Sequence, residues 1–165
     1  MSKFDQRGQK VETQLNINIE SDKPSITELK DRGLQLLNMR EYQLALANFE
    51  QLLNLSPQST DIQYYVALAL LKGQRPRLVT FSVVKEIEQR LHVATKYNSK
   101  TPHCFILWAI VKEDYYVLNG LYDTPPTVSE LLRRANSVEM VHINEMLTHI
   151  HAPNNRIWEW LHSIC

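Results

Sequence analysis

From Ser25 to Pro57 the chain reads SITELKDRGLQLLNMREYQLALANFEQLLNLSP, two helical patterns separated by a short break. Ser25 and Glu28 make an S-x-x-E capping box, in which each side chain satisfies the other residue's backbone N–H. Pro24 disfavours helix at Lys23, so the start is sharply marked. Ile26, Leu29, Gly33, Leu36 and Leu37 then recur at helical spacing. Asn38 to Arg40 interrupt the pattern. Tyr42, Leu44, Ala45, Phe49, Leu52, Leu53 and Leu55 resume it until Pro57. Two amphipathic helices joined this tightly must pack antiparallel, and the rest of the chain must then cover what they leave exposed.

Ile26 can be set as the first position of a unit of about 34 residues. Gly33 then falls on the small residue of the first helix, where a second helix crosses with no room for a side chain. Tyr42, Ala45 and Phe49 fall on the aromatic, small and aromatic positions of the second helix, and Pro57 on the closing proline. In these residues the stretch resembles the tetratricopeptide repeat, over about a fifth of the chain. It departs at Leu29, where a large aromatic is expected, and at Arg32, where leucine is expected. An ordinary amphipathic hairpin would carry a similar pattern. The resemblance implies an all-α short solenoid of stacked hairpins whose concave face is lined by the first helix of each pair. It points to Lys30 and Lys72 as partner contacts.

Downstream, Ser59 or Thr60 can cap a helix carrying Tyr64, Tyr65, Ala67, Leu68, Leu70 and Leu71, with Ala67 one repeat period after Gly33. The segment from Gly73 to Arg77 breaks the chain, and a longer helix runs from about Ser82 to Tyr97, closed by Pro102. The interval from Pro57 to Pro102 exceeds one repeat, so this second hairpin is stretched. Cys104 to Leu118 is apolar on almost every side, as a helix buried between neighbours would be. Gly120 stops it. Thr127 and Glu130 form a further capping box. Ser137 can cap a helix holding Val138, Val141, Ile143, Met146, Leu147 and Ile150. After Pro153 a short helix from Asn154 offers Ile157, Trp158, Leu161 and Ile164, which would seal the last apolar face of a stack. The words LLKGQRPRLVTFSVVKEIEQRL and AIVKEDYYVLNG look like the body of bacterial tetratricopeptide-related proteins, a resemblance that names no activity.

Residues 1–24 are of another kind. Val11, Thr13, Leu15, Ile17 and Ile19 alternate with polar residues, the period-two mark of a half-buried strand. A polar, disordered tail is the other reading. The words FDQRGQ-x-V resemble leader segments of bacterial signalling and conflict-system proteins. The expected organisation is therefore an N-terminal extension over 1–24 and a helical domain over 25–165.

Composition narrows the function classes. Eighteen basic and eighteen acidic residues cancel, so no net field draws nucleic acid or anionic membrane. With 44% hydrophobic and 22% charged residues the chain fits an ordinary globular domain. No apolar run reaches membrane-span length, and residues 1–24 lack a secretory apolar core, which leads us to expect a cytoplasmic protein. Two cysteines, Cys104 and Cys165, are no disulfide framework. No Gly-rich phosphate loop, nucleophile elbow, paired zinc cysteines or H-E-x-x-H occurs. His149, His151, His162 and Cys165 bring zinc-type ligands close in sequence. Surface histidines favoured by a helix C-terminus would explain the same residues. Lys112, Glu113 and Asp114 interrupt the apolar helix. They read as an internal pair, with Arg133 or Arg134 as partner, or as a catalytic carboxylate at Asp114 beside Tyr115. Lys72, Arg75 and Arg77 form a basic loop that could meet phosphate.

The resulting expectation is a non-catalytic adaptor that uses no cofactor and binds another protein or its own copies, as an accessory component of a bacterial signalling or defence system. Tyr64, Tyr65, Tyr115 and Tyr116 are the aromatic anchors to expect at such an interface, with one of each pair facing away from the core. The alternative is a small enzyme or metal-dependent effector built on the histidine-rich C-terminal segment. Burying Val11, Leu15, Ile17 and Ile19 in a strand would require pairing with another strand, because lone backbone groups cannot be buried unsatisfied. We therefore expect self-association through this segment. Full-length protein should sediment as a larger species than a chain starting at Ser21, and identical sedimentation would remove the idea.

Overall fold

The computed structural model describes residues 23–164. Val11, Leu15, Ile17, Ile19 and Cys165 lie outside the described residues. Within them the fold is all-α, 71% helical and without a strand. Eight α-helices follow one another: α1 (Ile26–Asn38), α2 (Tyr42–Leu55), α3 (Thr60–Leu70), α4 (Phe81–Tyr97), α5 (Pro102–Tyr115), α6 (Val128–Arg134), α7 (Met140–His149) and α8 (Arg156–Ile164). Single 3₁₀ turns at Pro76–Leu78 and Val117–Asn119 punctuate the connections. Among the described residues no helix is long and apolar enough to cross a membrane.

Local chemistry sets the helix ends. Both expected capping boxes form: the Glu28 backbone N–H donates to the Ser25 hydroxyl and the Ser25 N–H donates to the Glu28 carboxylate, and Thr127 and Glu130 repeat the arrangement. Thr80 caps α4, which begins at Phe81, close to the expected start at about Ser82. Pro102 opens α5 instead of closing α4; a first-turn proline gives up only an N–H that has no helical partner. The α5 helix stops at Tyr115, short of Leu118, and Gly120 turns the chain in the left-handed region at φ 68°. The helix α7 begins at Met140 behind Glu139, so Ser137 is not its cap.

From α1 to α6 each helix packs on its neighbours in sequence, an arrangement compatible with a helical repeat. The core runs through the stack as one cluster, from Leu29 and Phe49 at one end to Trp158 and Leu161 at the other. The chain then turns back. The α7 helix lies on α3 and α5, and α8 lies on α5. Arg40, at the turn between α1 and α2, donates to the Thr148 carbonyl, and the Tyr42 hydroxyl meets His149 Nδ1 at 3.0 Å. At the other end of α7 the His142 ring stacks on His103 of α5. The face of α3 and α5 that an open stack would present to a partner is thus partly occupied by the chain's own α7.

At Gly33 the two helices of the first hairpin meet without a spacer. A Cβ there would stand 2.5 Å from Phe49 Cε1, and Phe49 is wholly buried. Alanine would gain roughly 1 kcal/mol of helix propensity. It would also force the Phe49 ring off its site, an overpacking cost of about 1–3 kcal/mol. We expect Gly33→Ala to lower the urea midpoint, and Gly33→Val to lower it further. A midpoint raised by Gly33→Ala would show that the contact is not tight.

Candidate functional site

Three consecutive charged side chains sit on the most buried helix. Lys112, Glu113 and Asp114 of α5 are 0%, 2% and 0% exposed. Successive residues point about 100° apart around a helix, so three in a row face three different neighbours. Asp114 accepts from Arg75 Nη2 at 2.7 Å, from Arg75 Nε at 3.1 Å and from the Arg77 backbone N–H at 3.0 Å. Glu113 accepts from Arg156 at the start of α8. Lys112 donates to the Thr124 carbonyl at 2.7 Å and lies 3.1 Å from Asp123. Each charge is neutralised by a separate part of the chain. The partners are Arg75 and Arg156, not Arg133 or Arg134.

These pairings answer two sequence expectations. Asp114 is held by a guanidinium and a backbone N–H, so it forms the expected internal pair, with Arg75 as the partner. In the basic loop Arg75 is held by Asp114, which raises its pKa, and Arg77 donates to Asn119, while Lys72 is exposed.

Lys112 also stands 3.7 Å from Glu88 of α4, which is the node of a second network. Glu88 accepts from the Trp108 indole at 3.3 Å, the Tyr116 hydroxyl at 3.0 Å and Lys85 at 3.0 Å. Burial pushes the Tyr116 phenol above its usual range, and the Glu88 charge adds to the shift. The indole N–H is thereby turned inward, and the rest of the Trp108 ring forms the floor of an open groove. Its walls are His92, Thr95 and Lys96 of α4 on one side and Pro125, Pro126, Glu130 and Arg134 on the other, around a volume of about 460 Å³. A second hollow of about 450 Å³ shares His92, Trp108, Pro125 and Pro126 and continues towards Lys85, Gln89 and Thr124. An apolar floor with polar, charged rims is the anatomy of a surface that binds another chain.

The residues singled out from sequence do not gather at this groove. Lys30 pairs with Asp61 at 3.3 Å on the α1–α3 side. Lys72 is exposed just past α3, in the left-handed region at φ 51°. Tyr64 is buried beneath His103 and His142, and Tyr116 is buried on Glu88, so neither offers surface to a partner. Tyr65 stacks on Phe49 and Tyr115 stands near Phe81, both half-buried. His149 is buried against Tyr42, whereas His151 and His162 are exposed; it is not the surface histidine its position suggested. Among the described residues no three His, Cys, Asp or Glu side chains converge as metal ligands. The groove itself was hidden in sequence, because Trp108 reads as one more apolar residue of a core helix. The Pro125–Pro126 loop was its single visible sign.

Beneath α7 lies a third polar centre. The His103 and His142 rings stack at 4.1 Å, with Tyr64 edge-on to both. The Tyr64 hydroxyl faces Glu145 without closing a hydrogen bond of good geometry. Burial raises the Glu145 carboxyl and the Tyr64 phenol, and it pushes the Cys104 thiol up to about 12. Burial, helped by His142, drives His103 down to about 4. Searches against known protein families, curated proteins and solved structures find no match to this chain.

The His103 shift makes stability depend on pH. Between its ordinary 6.5 and about 4, the unfolded chain takes up a proton that the folded chain refuses. Stability therefore falls as pH falls through that window, by up to about 1.4 kcal/mol per pH unit. His149, also lowered by burial, acts in the same direction, and Glu145, raised, partly offsets both. Urea midpoints at pH 7 and pH 5 should differ less in His103→Phe than in the parent protein. An equal difference would place the pH dependence elsewhere.

Proposed function

We propose that the protein is a non-catalytic adaptor that holds a segment of another protein in the groove over Trp108. The observation that carries this reading is the contrast between interior and surface. The carboxylates buried on α5 are tied to protein partners, whereas the groove over Trp108 is open and lined by side chains suited to binding. The resemblance of the first hairpin to a tetratricopeptide repeat supports the same class of function. With α7 on α3 and α5, this reading takes as its binding surface the groove that Trp108 lines rather than the expected concave face. The resemblance of the leader supports an accessory role in a bacterial signalling or defence system, with self-association through residues 11–19 as a second interaction.

A photo-crosslinking amino acid at His92, on the groove wall, tests this in the native host. It should yield a discrete adduct that the same probe at exposed Leu44 of α2 does not. Identical adducts from both positions, or none from His92, would overturn the groove as the binding site.

A further inference from the structure

The groove over Trp108 carries a charge imbalance that its composition conceals. Two carboxylates line it, Glu88 within a buried network and Glu130 at the opposite end. Glu88 is surrounded by Trp108, Tyr116 and Lys85, with Lys112 behind it. Glu130 accepts from the Thr127 backbone N–H in the capping box, which holds its carboxyl below the usual range. The cations are differently placed. Lys85 is paired with Glu88 at one end. Lys96 and Arg134 face the other end, exposed, and neither forms an ion pair among the described residues. Lys96 stands over the Tyr97 ring and Arg134 over the Phe105 ring, contacts that position a cation without neutralising it.

From one end to the other the groove therefore runs from a neutralised pair, past Pro125 and Pro126, to two exposed cations set against the single carboxylate of Glu130, which leaves that end one positive charge in excess. The polar side chains of Gln89, Thr95 and Thr124 stand along the walls. They can satisfy the backbone N–H and C=O groups that an extended segment, unlike a helix, leaves unpaired. A nucleic acid fits less well. The indole is only 5% exposed and its N–H is turned to Glu88, so it gives no platform for stacking a base.

We propose that the groove binds an extended acidic segment of a partner protein, with an apolar side chain against Pro125 and Pro126 and a carboxylate at the end lined by Lys96 and Arg134. This rests on the adaptor reading above and adds the chemistry of the partner. Complementary charge at a rim steers the encounter and selects among partners, and salt weakens it.

The test uses the full chain and three fluorescein-labelled peptides of repeated leucine and proline, with aspartate, serine or lysine at every third position. Binding is read by fluorescence polarisation and located by amide chemical shifts, with a poly-thymidine oligonucleotide as a fourth probe. The aspartate peptide should bind at least about tenfold more tightly than the serine or lysine peptide. It should lose that advantage with added salt and in Lys96→Glu/Arg134→Glu, two surface changes that leave the fold intact by amide dispersion. Its shifts should centre on residues 92–96 and 124–134. Equal binding of all three peptides at those amides would overturn the acidic partner while leaving the groove as a peptide site. If no peptide moves those amides, the acidic partner and the adaptor groove both fall. Tighter binding of the oligonucleotide at the same amides would replace the proposal with nucleic-acid recognition.

Discussion

The Asp114–Arg75 pair is the constraint around which the molecule closes. A carboxylate at the centre of a buried helix cannot remain there unpaired, because the loss of hydration far exceeds what packing returns. The pairing ties the loop between α3 and α4 to α5, and the Arg77 N–H fixes that loop a second time. Glu113 and Lys112 extend the same logic to α8 and to the loop before α6. Helices that apolar contact alone would let slide are held in register by three charges that must each find one partner. Such pairs specify an arrangement more than they stabilise it.

The groove is a by-product of this interior order. Glu88 gathers Trp108, Tyr116, Lys85 and Lys112, and so decides which way the indole faces. Lys112 holds Thr124 and Asp123 and thereby sets the loop whose prolines form the opposite wall. A surface suited to recognition thus stands on a buried polar network. That network gives the groove walls fixed positions, which under the proposed function would reduce the ordering cost of binding.

Much of the fold was legible in the chain. The first hairpin, with its capping box, the small residue at Gly33 and the closing proline, follows from local rules that act over a few residues. So do the Thr127–Glu130 cap, the long α4 and the all-round apolar α5. The misreadings have physical causes. Pro102 can end one helix or begin the next, and only the path of the chain chooses between them. His149 was expected on the surface because a helix C-terminus favours a histidine there, but Tyr42 from a distant turn covers it. Of each tyrosine pair one member was expected to face outward, and residue type alone could not say that Tyr64 and Tyr116 are the buried ones.

What the sequence determined by itself was the helical class, the order of the helices and the presence of charges that α5 would have to neutralise. Periodicity, caps and breakers are local, and their energetics are complete within a turn or two of chain. What only the tertiary structure decided was the partner of each charge, the return of α7 onto α3 and α5, and the groove over Trp108. Arg75, Arg156 and Asp123 satisfy the three α5 charges at separations from 11 to 43 residues. Other arginines, Arg133 and Arg134 among them, carry the same charge on a neighbouring helix. No local rule ranks one arginine over another. The choice falls to whichever guanidinium the packed helices bring within reach of the buried carboxylate.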